Sequence, residues 1–206
     1  QKRAHAKQDG CDVLCIAADA APYIHEFIHH YIYLGFKDIF IGVNNLSDQT
    51  LKIAQKIQTI YPQVKIVNVK RIGAQFQHRG CYHRLFDMAL QQSNSKHCLI
   101  VDIDEFWIAD PFPREIDQFI QNSDSFDAYS FHWIVEHGDK LFTKPFEKNI
   151  TYIKDSHVTS MLRYSSPLAQ ISDSGPILNM DTQEAVARIG NSVNINILET
   201  TDGITV

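Results

Sequence analysis

Residues 11–45 read "CDVLCIAADAAPYIHEFIHHYIYLGFKDIFIGVNN", and their pattern decides the kind of fold. "DVLCIA" (12–17) is a short apolar run, suited to a strand buried on both faces. Pro22 follows at a helix start, where its missing N–H costs nothing. Ile24, Phe27, Ile28 and Tyr31 then recur at the i, i+3, i+4, i+7 spacing that makes one apolar helix face. Gly35 closes the helix, and "DIFIGV" (38–43) is a second strand.

The same rhythm continues outward. "NNLSDQT" (44–50) is a loop with a helix N-cap signal in Ser47 or Asp48. The helix "TLKIAQKIQTI" (50–60) stops at Tyr61–Pro62, and "VKIVNV" (64–69) is a third strand. After a loop around Gly73, "RGCYHRLFDMALQQ" (79–92) sets Leu85, Met88 and Ala89 on one face, and "HCLIVDI" (97–103) is the next strand. This β-α-β-α-β-α-β order predicts an α/β fold with a mostly parallel, Rossmann-like central sheet and helices on both faces.

Beyond Pro111 and Pro113 the pattern changes: "REIDQFIQNS" (114–123) is a short helix. "DAYSFHWIV" (127–135), "NITYIKD" (149–155) and "HVTSMLRYS" (157–165) read as strands separated by turns, giving a mixed second half. After about Ser165 the apolar pattern weakens. Residues 11–165 are therefore read as one domain, and 166–206 as a C-terminal extension or the start of a further region.

With 206 residues, 44% of them hydrophobic, the chain is long enough for one full core. A formal net charge of −5 argues against a nucleic-acid partner, which calls for a basic face. No apolar run approaches the roughly 18 residues of a membrane span. The opening "QKRAHAKQDG" is polar, lacks the apolar core of a signal peptide and reads as an internal start. Cys11, Cys15, Cys81 and Cys98 show no CxxC spacing, and Cys15 and Cys98 fall in apolar runs as small buried hydrophobes. Reduced thiols and a cytoplasmic location are the expectation.

"HCLIVDIDEFWI" (97–108) runs from buried-type residues straight into Asp102, Asp104 and Glu105. Ligands of open parallel sheets bind outside the carboxyl ends of the strands. In an extended chain residues two apart point the same way, which would aim Asp102 and Asp104 at one place. Two hard carboxylates with positions left for water and phosphate suit Mg²⁺ or Mn²⁺. The alternative is a solvated acidic turn; Phe106 and Trp107, directly after, argue against a loose loop.

The "LIVDIDEFWI" segment (99–108) resembles the DxDEF strand of nucleotide-sugar glycosyltransferases of the GT-A fold, in the family-2-like and family-92-like group. Members of that group carry "KNEAPYL.EW..HH..LGF" and then "NDCTDGT" after the second strand. Matching residues here are Ala21-Pro22-Tyr23, Glu26, His29-His30, Leu34-Gly35-Phe36, Asn44-Asn45, Ser47-Asp48 and Thr50. Departures are Ala18-Asp19-Ala20 in place of KNE and Asp48-Gln49-Thr50 in place of DGT. The resemblance covers roughly residues 11–160 and implies a metal-dependent, inverting transfer of a sugar from a UDP- or GDP-linked donor. The acceptor it implies is a hydroxyl of a glycan or a lipid-linked molecule, compatible with peripheral association at a membrane surface. It further implies that Ala17 and Asp19 line the base or ribose pocket, and that Asn44 and Asn45 hydrogen-bond the nucleoside. Asp104 would hold the cation, with Asp102 on the ribose or on the metal's water shell.

Other roles follow from position. Gln77 and Arg79 precede the third predicted helix, where N–H groups and a cation can hold a diphosphate. Glu136, His137 and Asp139 follow the "SFHWIV" strand and are the candidates for the base that deprotonates the acceptor, Glu136 and Asp139 first among them. Trp133 could stack on an acceptor sugar, and His157 could be a third metal ligand. "HEFIH" (25–29) also satisfies H-E-x-x-H, the zinc-peptidase helix, but Ile32 and Gly35 stand where its extended form needs Gly and His. A non-catalytic carbohydrate-binding module is the third class to weigh.

Overall fold

The computed structural model describes residues 8–44, 46–69, 77–109, 112–136, 152–166, 195–197 and 204–205. The parallel half is built from strand β1 (Gln8–Ala17), helix α1 (Ile24–Tyr33), β2 (Ile39–Val43), α2 (Thr50–Gln58), β3 (Val64–Asn68), α3 (Gln77–Gln92) and β4 (Ser95–Ile100). It continues with the short β5 (Trp107–Ile108), α4 (Ile116–Asn122), β6 (Ala128–Glu136), β7 (Tyr152–Arg163), β8 (Ile195–Ile197) and β9 (Ile204–Thr205). The strands lie in the order β3-β2-β1-β4-β7-β6-β9-β5, with β8 pairing β6. Strands β3, β2, β1 and β4 are mutually parallel, and β7 enters antiparallel between β4 and β6. The α/β reading holds, with "DVLCIA" and "HCLI" hydrogen-bonded in one sheet.

Alternation along β1 explains why both faces are covered. Val13 and Cys15 pack with residues of α1, α2 and α4, including Phe27, Tyr31, Ala54 and Phe119. Leu14 faces the other way, onto Leu85, Phe86 and Ala89 of α3. Right-handed crossovers require this division: α1 and α2 step the chain one way along the sheet, and α3 carries it back over β2 and β1 to β4.

Several boundaries differ from the sequence reading. Helix α1 starts at Ile24, after a turn in which the Tyr23 and Ile24 N–H groups both donate to the Ala20 carbonyl (3.0 and 2.9 Å), so Pro22 sits in that turn. The two strands predicted at 149–155 and 157–165 are one strand, β7. Its pairing jumps from His132↔Val158 to Ile134↔Lys154, so the Asp155–Ser156 turn signal is realised as a bulge. Strand β4 stops at Ile100, not at Ile103, and the acidic run that follows is a turn.

Asp12, on β1 and fully buried, lies toward the amino edge of the sheet. Its carboxylate accepts from Ser95 Oγ (2.6 Å), Tyr164 Oη (2.8 Å) and the Asp38 N–H (3.3 Å). It ties β1, β4 and the end of β7 together, away from the carboxyl edge.

Candidate functional site

The chain leaves β1 toward β2 on one side, while β4 flanks β1 on the other. The crevice between the carboxyl ends of β1 and β4 is thus the topological switch point. The acidic turn forms there. Val101 N–H makes the last sheet bond, to the Leu14 carbonyl (3.1 Å), and Glu105 N–H then closes a turn onto the Asp102 carbonyl (3.1 Å). The two-residue alternation expected of Asp102 and Asp104 therefore does not apply. Asp102 is half-buried, and its Oδ1 accepts from Tyr82 Oη of α3 (2.9 Å); Asp104 is exposed. Among the described residues no Lys or Arg forms an ion pair with either.

Glu105 turns inward. Its Oε2 accepts both the Asp102 N–H (3.2 Å) and the Thr159 hydroxyl of β7 (2.9 Å). Burial, reinforced by the charge of Asp102, pushes its carboxyl up to about 8 from an ordinary 4.5. The segment beyond is bolted to α1. Tyr31 Oη donates to the Glu105 carbonyl (3.0 Å) and accepts the Trp107 N–H (3.1 Å), and His30 Nε2 bonds the Trp107 carbonyl (2.8 Å). Burial pushes His30 down to about 4, so it is a neutral structural group.

A pH dependence follows for the metal-free protein. Below about 4.5 Glu105 is protonated folded or unfolded; between 4.5 and 8 the unfolded chain ionises while the folded one holds the proton. Stability should therefore fall as pH rises through that window, by on the order of 5 kcal/mol in total. Glu105→Gln cannot ionise. In EDTA its advantage over the wild-type chain in urea unfolding should grow from pH 5 to pH 8, and a gap independent of pH would contradict the assignment.

The β1–α1 and β2–α2 loops interlock. Asp19, at φ 47°, holds a left-handed conformation that Asp tolerates better than most residues. Its Oδ1 accepts from the Ser47 and Asp48 N–H groups (2.7 and 3.2 Å), and its Oδ2 from Ser47 Oγ (2.8 Å). The Ser47 N–H bond, chiefly, holds its carboxyl below the usual range. Asp48 in return accepts from Ala21 N–H and Thr50 N–H (both 2.8 Å), and Thr50 Oγ1 accepts the Ala20 N–H (2.7 Å). The N-cap position of α2 is Gln49 and not Ser47 or Asp48 as expected; Asp48, one residue earlier, accepts the N–H of the helix's first residue. Ala17 is buried beneath these loops at the end of β1.

Asn44 follows β2 and lines an open cavity of about 380 Å³ with Asp48, Gln49, Lys52, Gln55 and Asn68. That cavity is not at the carboxylates. It lies over the ends of β2 and β3, and since β1 separates β2 from β4, the two features stand roughly 10 Å apart by strand spacing. Asn45 lies outside the described residues. Helix α3 begins at Gln77, so Gln77 and Arg79 stand in its first turn at the carboxyl edge and do not precede it.

Strand β6 is parallel to β4 and ends at Glu136. Ser130 is level with Ser160, which pairs Ile100, so Glu136 lies six residues beyond Ser130, roughly 20 Å further along. Trp133 lies within this arm of β6, His157 in the bulge of β7 across from it; His137 and Asp139 lie outside the described residues.

On α1 the rings of His25 and His29 lie 4.3 Å apart, and His29 Nδ1 bonds the His25 carbonyl of its own helix (2.8 Å). Among the described residues no three His, Cys, Asp or Glu side chains gather as a metal-ligand group, for this motif or for the acidic turn.

Sequence reading passed over Tyr82, Thr159, Lys52 and Asn68. Tyr82 had a signal: Tyr82, Leu85, Phe86 and Ala89 form an i, i+3, i+4, i+7 stripe whose first member carries a hydroxyl needing a partner. Asn68 ends β3 as Asn44 follows β2. Thr159 had none.

Neither a family model nor a curated relative matches the chain. Solved structures do. TarS 1–349 of S. aureus superposes with a TM-score of 0.57 at 15% identity, over 95% of this chain and 60% of that one. A 4-diphosphocytidyl-2C-methyl-D-erythritol synthase gives 0.51 at 12% identity, over 92% and 88%. The mannosyltransferase PcManGT of Pyrobaculum calidifontis, solved with GDP-Man and Mn²⁺, gives 0.42 at 15% identity, over 62% and 35%. The chain thus spans less than two thirds of both TarS 1–349 and the mannosyltransferase. At these identities the likeness speaks for the fold: Rossmann-like, of the GT-A type. Among the described residues no helix is long and apolar enough to cross a membrane.

Proposed function

We propose that the chain carries the donor-binding part of a metal-dependent glycosyltransferase, which moves a sugar from a nucleoside-diphosphate donor to a hydroxyl of a glycan or lipid-linked acceptor. The observation that carries this reading is the acidic turn at the switch point. Three carboxylates fall within four residues there, with no Lys or Arg ion-paired to Asp102 or Asp104 among the described residues.

The donor set fits Mg²⁺ or Mn²⁺. Among the described residues Asp104 makes no hydrogen bond or ion pair on its exposed turn, and Tyr82 engages only Oδ1 of Asp102, leaving its second oxygen. One or two carboxylates completed by phosphate and water is how such ions are commonly held in phosphate-handling sites. When bound, the cation supplies Lewis-acid neutralisation of the charge that builds on a leaving diphosphate. The chain's own groups do the rest. Asp102 and Asp104 hold the diphosphate end, the first turn of α3 offers N–H groups to it, and the Asn44–Asn68 cavity receives the nucleoside. The Asp19–Ser47–Asp48–Thr50 interlock keeps the loops between them in one arrangement.

A thermal-shift panel of UDP-, GDP- and CMP-sugars, each with Mn²⁺ and with EDTA, tests the reading. At least one nucleoside-diphosphate sugar should raise the melting temperature by several degrees with Mn²⁺ and not with EDTA. A chain that ignores every nucleotide would instead be a binding module of another kind. Stoichiometric zinc surviving dialysis and lost in His25→Ala would favour the peptidase reading of "HEFIH".

A further inference from the structure

We propose that Glu105 is a positioning residue for Asp102: anchored by Thr159 of β7, it fixes the backbone of the acidic turn while Tyr82 of α3 fixes the Asp102 carboxylate. The inference rests on the functional reading above. It gives Glu105 a part the strand alternation would have denied it, since along an extended chain Glu105 would point away from Asp102 and Asp104.

The contacts form a closed set. Glu105 grips Asp102 at both backbone atoms, its own N–H on the Asp102 carbonyl (3.1 Å) and its Oε2 on the Asp102 N–H (3.2 Å). The same Oε2 takes the Thr159 hydroxyl (2.9 Å), so the turn is referred to a strand 54 residues away. Tyr31 holds the Glu105 carbonyl (3.0 Å), and Phe106 and Trp107, both buried, prevent the segment from lifting. Tyr82 spans the Val101 carbonyl (3.2 Å) and Asp102 Oδ1 (2.9 Å), which leaves Asp102 one oxygen to present and one orientation in which to present it. Asp104 has no such support and is exposed. Pre-set ligands of this kind lower the ordering cost of binding a cation, and partners that orient a ligand commonly govern metal affinity by 10- to 100-fold.

The chemistry supplies its own control. Because a single oxygen accepts both bonds, the carbonyl of Gln can replace it, whereas Met has similar length and accepts neither. Glu105→Gln, Glu105→Met, Thr159→Val and Tyr82→Phe are compared by Mn²⁺ titration calorimetry and by amide hydrogen exchange of Asp102 in EDTA. Unfolding in EDTA identifies any variant that fails to fold. Glu105→Met should weaken Mn²⁺ binding about tenfold and release Asp102 amide protection; Glu105→Gln should keep both. Thr159→Val should move both in the same direction by less, and Tyr82→Phe should weaken Mn²⁺ while sparing the amide. A Glu105→Met protein that keeps Asp102 protection or Mn²⁺ affinity overturns the proposal. If the wild-type chain binds no Mn²⁺, the functional reading falls by itself, and the Asp102 amide alone then decides whether Glu105 holds the turn.

Discussion

Asp104→Asn is expected to fold as the wild-type chain does and to lower sugar transfer about a hundredfold or more, roughly 2.7 kcal/mol of barrier. Asp104 is exposed and makes no hydrogen bond or ion pair among the described residues, so folding loses nothing when its charge goes. Asn keeps the shape and one oxygen, so the loss isolates the charge that would hold the cation. Asp102→Asn is the companion measurement: its amide oxygen still accepts from Tyr82, and the damage should be smaller if Asp102 serves the ribose or the water shell. Melting curves in EDTA alongside donor turnover separate the two effects. Near-normal turnover in Asp104→Asn would remove the acidic turn from the chemistry.

The second large effect is structural. Trp107→Ala should destabilise the chain by about 3–5 kcal/mol, a fall in melting temperature of roughly 10 °C for a chain this size. Trp107 is fully buried, with its ring edge-on to Phe36, Phe119 and Phe131 at centroid distances of 5.8, 5.5 and 6.0 Å. Its backbone N–H donates to Tyr31 Oη and its carbonyl bonds His30 Nε2, so loosening the ring loosens the segment that fastens the acidic turn. Trp107→Phe should cost far less. Among the described residues the indole Nε1 has no acceptor, so Phe gives up area but also removes an unmet donor. A Phe variant as damaged as the Ala variant would show that the indole N–H is satisfied after all.

The parallel half was legible because its information is local. Apolar runs such as "DVLCIA" and the spacing of Ile24, Phe27, Ile28 and Tyr31 declare strand and helix within a few residues, and the right-handed crossover does the rest. The place of the acidic run, the candidate site, was legible for the same reason: an acidic run at the end of a strand needs only the strand to be recognised. Its geometry was not. Nothing in "LIVDIDEF" says that sheet bonding to Leu14 ends at Val101, that Tyr82 will claim Asp102, or that Glu105 will turn inward to Thr159. Each depends on a partner brought close by folding: 20 residues away for Tyr82 and Asp102, 28 for Asp19 and Ser47, 54 for Glu105 and Thr159. The bulge in β7 is a similar case. Asp155–Ser156 has turn chemistry, yet β6 supplies pairing on both sides of it and the strand carries on.

The most direct test of the central claim is titration calorimetry of UDP and of GDP into the wild-type chain and into Asp104→Asn, each in Mn²⁺ and in EDTA. A donor-binding site at the acidic turn predicts that at least one nucleotide binds the wild-type chain in Mn²⁺, that EDTA abolishes the binding, and that Asp104→Asn weakens it by about tenfold or more. Binding of equal strength in EDTA, or undiminished in Asp104→Asn, would contradict it.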